Sequence, residues 1–323
     1  MEAAIIVTYR CQSKCRMCRT WMHPTRPEEE FAPALLTKLP LLSFCNITGG
    51  EPFLREDIGE IVRIAGRKAR RVVISTNGQL TDRVLDLARS DRRVGFRVSL
   101  EGLAPTNDAL RGIAGGYDRG LGTLLELKRL GIKDIGMAIT VSDENAKDLL
   151  ELYRLSRELG VEFATAAVHN SFYFHTRDNA FRRPEEAAAR FEDLSRALLR
   201  ERRPKSWFRA YFNSGLAGYV RGRVRPLPCG AATDFFFLDP WGRILPCNGM
   251  EESTWFESLG DLTERSFKEI WSSDRARRVR ARVAACSRDC WMIGSAGPAM
   301  RRHILRPSLW VLKRKMGPGR PRR

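Results

Sequence analysis

The chain has 323 residues, eight of them cysteine, and 56 Lys and Arg against 38 Asp and Glu give it a formal net charge of +18. That length buries a large core and suits a barrel plus a smaller domain. No apolar run approaches a transmembrane helix, residues 1–9 lack the flanks of a signal peptide, and the cysteines are too sparse for a disulfide framework, so a reducing, cytoplasmic setting is expected; the basic excess has no interleaved aromatics and no recognisable nucleic-acid module, so nucleic acid is not an expected partner.

In chain order, apolar runs of strand length recur at 3–9, 43–48, 71–75, 94–100, 134–141 and 161–168. Amphipathic stretches of helix length lie between them, among them 56–68, 80–90, 117–131 and 145–159. This alternation predicts six parallel βα units: an α/β fold with a partial (β/α)6 TIM-like barrel. Ligands of such folds sit at the carboxyl edge of the strands.

The first run leads into Cys11-Gln12-Ser13-Lys14-Cys15-Arg16-Met17-Cys18, a C-x3-C-x2-C spacing. Three thiolates on one loop can hold three irons of a 4Fe–4S cubane and leave the fourth iron open. An open coordination position is a reaction site. Spacing alone also admits structural zinc, with His23 as the fourth ligand. The second run continues into Ile47-Thr48-Gly49-Gly50-Glu51-Pro52-Phe53-Leu54, whose paired glycines let the backbone approach a ligand closely.

Together these two motifs resemble the radical SAM superfamily. The resemblance implies that Cys11, Cys15 and Cys18 hold a 4Fe–4S cluster whose open iron chelates S-adenosylmethionine (SAM). It implies that Gly49, Gly50, Glu51 and Pro52 receive the methionyl ammonium, with Glu51 as its acceptor. Met17 replaces the aromatic usual before the third cysteine and serves as an apolar cover. Ser75-Thr76-Asn77-Gly78, Ser99-Leu100-Glu101-Gly102 and Leu110-Arg111-Gly112 are similar to segments that line the SAM pocket. Ser75, Asn77, Ser99 and Arg111 are the candidate contacts there, Ser99 and Arg111 to the carboxylate. Cys45 on the second strand is either a small buried hydrophobe or a hydrogen-atom donor to a substrate radical. His169 follows the sixth run at the barrel edge, where an imidazole could transfer a proton.

The second half carries Cys229, Cys247, Cys286 and Cys290. Two apolar runs around Asp239-Pro240-Trp241-Gly242 read as a β-hairpin that brings the first two cysteines together. A helical stretch at 263–284 returns the second pair. The pattern resembles the Twitch domain, a shortened relative of the SPASM domain, and implies one auxiliary 4Fe–4S cluster; structural zinc on the same thiolates is the rival. The expected organisation is a barrel at 1–201, a bridging segment at 202–228, a hairpin-plus-helix cluster domain at 229–300 and a basic tail at 301–323.

That tail holds nine Lys and Arg and no acid, with Leu305, Leu309, Leu312 and Met316 on one helical face and Trp310 beside them. It either docks on the barrel, ending in a disordered run from Gly317, or lies on an anionic membrane surface, which would make the protein peripheral to the membrane. By resemblance, an external one-electron reductant such as flavodoxin or ferredoxin feeds the first cluster. Cleaved SAM then yields a 5′-deoxyadenosyl radical that removes a substrate hydrogen, and the auxiliary cluster takes a second electron. The first strand begins by residue 3, leaving no room for a leader-peptide recognition domain. A small hydroxylated, sugar-like substrate is therefore expected ahead of a ribosomally made peptide, with a non-enzymatic iron–sulfur electron carrier as the alternative of another class.

Overall fold

The computed structural model describes residues 1–250 and 257–316. Its elements run β1 (Glu2–Ile6), β2 (Phe44–Thr48), α1 (Ile58–Lys68), β3 (Val72–Thr76), α2 (Thr81–Ser90), β4 (Gly95–Ser99), α3 (Ala104–Arg111) and α4 (Gly116–Arg129). They continue through β5 (Ile135–Val141), α5 (Leu149–Glu158), β6 (Glu162–Ala167), α6 (Pro184–Arg200), α7 (Pro204–Val220), β7 (Phe235–Leu238) and β8 (Arg243–Leu245). The last are β9 (Gly260–Asp261), α8 (Phe267–Ser272), α9 (Asp274–Ala284), α10 (Ile293–Arg302) and α11 (Leu305–Met316). The six expected strands pair in parallel in the order β6-β5-β4-β3-β2-β1, and the sheet stays open: a partial barrel with helices outside.

Side chains alternate across a strand, so the pairing register assigns every residue to one of two faces. Ala4, Asn46, Val73 and Gly95 align across β1 to β4 on the inner face. Ile5, Ile47, Ile74 and Phe96 align on the outer face and are fully buried against the helices. Towards the carboxyl edge the inner face carries Asn46, Ser75, Ser99, Ala138, Thr140, Ala164 and Ala166, all half-buried. Small and polar residues there leave a lumen rather than a packed interior.

The hairpin is present, with Leu238 opposite Ile244. It is not detached from the barrel: β7 pairs in parallel with β1, from Glu2↔Phe235 to Ile5↔Leu238, making one nine-stranded sheet. The expected bridge at 202–228 is largely α7, which packs along α6. Fully buried Ala210 and Leu216 give it a core face that its polar and basic flanks obscured. The single helical stretch expected at 263–284 is two helices, because Ser273 ends α8 and caps α9 by accepting the Ala276 amide. The tail helix α11 docks, but by Pro307, Trp310 and Val311 rather than by the leucine stripe; Trp310 meets Tyr211 edge-on with ring centroids 5.5 Å apart. The run from Gly317 lies outside the described residues.

Charge closes the amino end of the barrel. Asp134 accepts two hydrogen bonds from Arg71, at 2.7 and 3.0 Å, and one from Arg97 at 2.7 Å. Burial works against the Asp134 charge, but the two guanidinium groups outweigh it and hold the carboxyl well below the usual carboxylate range. A carboxyl depressed in the folded state contributes stability above its unfolded pKa of about 3.9 and loses it as pH falls further. Asp134→Asn is therefore expected to lower the unfolding free energy near neutral pH, and urea titrations should show this deficit shrinking steadily below about pH 4.

Candidate active site

The cysteine loop is seated by backbone pairing that extends β1 and β2 beyond their ends. The Gly50 amide donates to Thr8 O and the Glu51 amide to Arg10 O, each at 2.8 Å. A Cβ on Gly50 would stand 2.2 Å from Arg10 O and 2.9 Å from Cys11 Cβ, so only glycine permits this approach. From the other side, α3 presents its last carbonyls: the Lys14 amide donates to Arg111 O and the Arg16 amide to Leu110 O. The loop carrying Cys11, Cys15 and Cys18 is thus held between two barrel units.

Glu51 has no exposed surface. Its carboxylate accepts from the Phe53 amide (3.1 Å), the Thr76 hydroxyl (2.9 Å) and the Asn77 amide (2.7 Å). Burial raises its pKa, and these donors and Arg111 offset part of that rise. This corrects the expected direct contact between Glu51 and a SAM ammonium: the carboxylate is an internal bolt between the loops after β2 and β3. Asn77 extends the bolt, donating from Nδ2 to Ser13 Oγ at 3.1 Å. Ser75 donates to Asn46 Oδ1 at 3.0 Å inside the lumen, and Ser99 stands half-buried on the same face. Pro52 is buried and opens a short 3-10 turn.

Arg111 is buried and donates from Nη1 to Glu101 Oε1 at 3.2 Å, while the other Glu101 oxygen accepts the Thr140 amide at 2.6 Å. Glu101 belongs to the Ser99–Gly102 segment, but a single carboxylate in a loop carries no distinguishing spacing that would give it a role. Burial pushes the Cys11 thiol up to about 11 and the Cys15 thiol up to about 12, and Arg111 partly opposes both shifts. Among the described residues, buried Arg111 Nε and buried Gln12 Oε1 have no hydrogen-bond partner. An orphaned guanidinium N–H beside three thiols suits an anionic group, and an orphaned amide oxygen suits a cationic or hydroxylated one. The residues present therefore fit a thiolate-bound cluster and an amino-acid ligand.

Cys45 departs from its sharper expectation. It is fully buried, aligned with Ala3 and Val72 on the outer face, and belongs to the helix-packed core. It cannot reach a radical in the lumen and is a small hydrophobe. His23 is exposed and stacks on His175 with centroids 4.1 Å apart.

Cys229, Cys247, Cys286 and Cys290 line one cavity together with Phe235 and Met250. Burial pushes the Cys247 thiol up to about 12, reinforced by the neighbouring cysteines. Arg225 donates to Cys290 O at 3.0 Å and Arg288 to Gly249 O, so two cations border the cavity. Four thiols, apolar walls and flanking cations fit a closed iron–sulfur cluster. Among the described residues no three such ligands converge on one metal ion; in a cubane each sulfur binds a different iron, so they need not.

Apart from His169, the loop from 168 to 183, between β6 and α6, was not foreseen as part of the site. Tyr173 donates from its hydroxyl to Gly49 O at 2.6 Å and accepts at its carbonyl from Thr20, whose hydroxyl lies 3.1 Å from Cys18 Sγ. The Phe172 amide donates to Met250 O at 2.9 Å, and Asn179 Nδ2 to Met17 O at 3.0 Å. The loop thus ties the first cysteine loop to the second cysteine cavity. Beyond His169, its sequence signal is Phe172-Tyr173-Phe174. His169 opens it, buried, with Nδ1 3.3 Å from Ala167 O and Nε2 3.3 Å from Asn248 Nδ2. An amide nitrogen donates only, so Nε2 accepts and Nδ1 carries the proton.

Residues 5–156 match the family described as the radical SAM superfamily, and residues 229–291 match an iron–sulfur cluster-binding domain. A curated relative, the Fe-coproporphyrin III synthase of Methanosarcina barkeri, is 35% identical over 164 residues, which are 47% of this chain and 40% of that protein. The mycofactocin maturase MftC of Mycolicibacterium smegmatis is 25% identical over 292 residues, 85% of this chain and 71% of that one. Among solved structures, Streptococcus suis SuiB superposes with a TM-score of 0.65 at 16% identity, covering 87% of this chain and 67% of that one; the likeness is one of fold. Reconstituted protein is expected to bind about eight irons per chain and its Cys11→Ala/Cys15→Ala/Cys18→Ala variant about four, by metal analysis. Zinc in place of the remaining four would overturn the iron assignment of the second cavity.

Proposed function

The chain belongs to the radical SAM superfamily and carries a SPASM-like iron–sulfur domain, and from that premise we propose that it oxidises a small hydroxylated substrate by two electrons. The substrate class is sugar-like, free or linked to a nucleotide or lipid. When bound, the first cluster and SAM supply a 5′-deoxyadenosyl radical for hydrogen abstraction, and the auxiliary cluster supplies an electron acceptor. In this reading Cys11, Cys15 and Cys18 hold the first cluster and Cys229, Cys247, Cys286 and Cys290 the second. Arg111 Nε, orphaned among the described residues, pairs with the SAM carboxylate, and Gln12 Oε1 accepts from the same ligand. Gly49 and Gly50 line the pocket by backbone, while Glu51 and Asn77 position them. Ser99 faces the lumen beside them.

The observation that carries the substrate class is the lumen wall. Asn46, Ser75 and Thr140 offer hydroxyl and amide groups to a hydroxylated substrate, and Ala138, Ala164 and Ala166 leave it room. Phe172, Tyr173 and Phe174 pack with Ala4, Ile6, Phe235 and Phe237 and give the lumen an apolar side towards β1 and β7. His169 would take the substrate hydroxyl proton at Nε2, displacing Asn248. A flavodoxin- or ferredoxin-like reductant would supply the first electron. A peptide substrate is the second reading, favoured by likeness to a maturase across 85% of the chain.

Deuterated substrates separate the two. Deuterium from ring-deuterated sugars or aminocyclitols should appear in 5′-deoxyadenosine; transfer from peptides alone would sink the small-substrate reading. Glu51→Ala should lower both SAM affinity and unfolding free energy, the latter by about 2 kcal/mol or more, since two backbone amides lose their acceptor. An affinity loss with unchanged stability would return Glu51 to direct contact. His169→Ala should still form 5′-deoxyadenosine but lose oxidised product; full product yield would remove His169 from the proton path.

A further inference from the structure

Helix α11 is held to the body by the half of its circumference that lies opposite its leucine stripe. Pro307 and Val311 are buried, Trp310 abuts Tyr211 of α7, and Arg306 donates to Pro226 O at 3.1 Å. The opposite face carries Leu305, Leu309, Leu312 and Met316, exposed at 73%, 56%, 49% and 76%. At 3.6 residues per turn these four fall within an arc of about 60°. Arg306 and Lys313 border that arc on one side, and on the other Lys315 lies over the Trp207 ring of α7, its Nζ 3.5 Å from the ring centroid. The helix has no acidic residue, and residues 301–323 hold nine Lys and Arg without one Asp or Glu.

We propose that α11 is a membrane-surface helix, whose outward leucine stripe enters the interface of an anionic bilayer while its basic borders meet the lipid phosphates. Charge decides the occupant. A stripe that covered a second copy of this chain, whose formal net charge is +18, would bring basic borders of like sign together, whereas a row of apolar side chains between cations matches the apolar depth and anionic headgroups of a leaflet. The opposite face is already fixed by Pro307, Trp310 and Val311, so the helix is ordered before it meets lipid. Among the described residues no helix is long and apolar enough to cross a membrane, so this helix lies on the surface. Its neighbour Pro226 stands three residues before Cys229, which brings the lipid plane near the auxiliary cavity.

The test uses the full-length chain and sedimentation with phosphatidylcholine vesicles, pure or with about 30 mol% phosphatidylglycerol. Binding should be at least about tenfold tighter to the anionic vesicles and should fall steeply by roughly 0.5 M salt. Leu309→Glu/Leu312→Glu, at exposed positions, should abolish binding without changing the circular dichroism spectrum or the melting midpoint. The proposal is overturned if the wild-type chain ignores anionic vesicles, or if the double variant binds them equally well. It is also overturned if light scattering shows a lipid-free dimer that the double variant dissociates, since a second copy would then cover the stripe.

Discussion

The close approach of Gly49 and Gly50 to Thr8–Arg10 sets the position of nearly everything else at the site. Two backbone hydrogen bonds carry the β1–β2 pairing past the sheet and into the cysteine loop. Any Cβ at residue 50 would push Arg10 and Cys11 away. Because the approach is so short, the chain leaving it is directed inward, and Glu51 becomes buried. A buried carboxylate must be supplied with donors. Phe53, Thr76 and Asn77 supply them, which draws the loop after β3 against the loop after β2. Asn77 in turn reaches Ser13 between the first two cysteines. One steric fact thus propagates through satisfied polar groups to the spacing of the thiols.

Sheet parity makes the second selection. Cys45 and Asn46 are neighbours in sequence, yet one is locked among helices and the other faces the lumen. The sheet itself stands between the Cys45 thiol and the lumen. The lumen instead receives hydroxyls, amides and alanines. The same alternation places Arg97 inward at the amino end, where it shares the Asp134 carboxylate with Arg71, and Ser99 inward at the carboxyl end. A strand therefore contributes a charged floor and a polar rim with a single pattern.

These features differ in how far they could be read from the chain. The cysteine spacing, the Gly-Gly-Glu-Pro run and the βα alternation are local signals, and each corresponds to a local structure. Elements that depend on distant partners were not legible. The tie from Tyr173 to Gly49 spans 124 residues, and no periodicity announces it. Helix α7 lay inside a segment whose arginines and prolines suggested a bridge, although its buried side is made by packing on α6. Glu51 was legible as a site residue but not in its role, because burial is decided by the loops that close over it. The leucine stripe of α11 was legible as a stripe; which face would dock depended on Trp310 finding Tyr211.

The joining of β7 to β1 carries the last consequence. A hairpin domain tethered by a linker could drift relative to the barrel. Here the register from Glu2↔Phe235 to Ile5↔Leu238 makes β1 the shared strand between the two cysteine sites. Its carboxyl end leads directly to Cys11, and β7 turns through β8 to Cys247. The loop from 168 to 183 adds a second connection, from Gly49 through Tyr173 and Phe172 to Met250. Two independent struts fix one distance. An electron leaving a substrate in the lumen towards the second cavity would cross a gap set by backbone pairing rather than by a hinge, and that geometry would survive the movement of any surface element, including a helix seated on lipid.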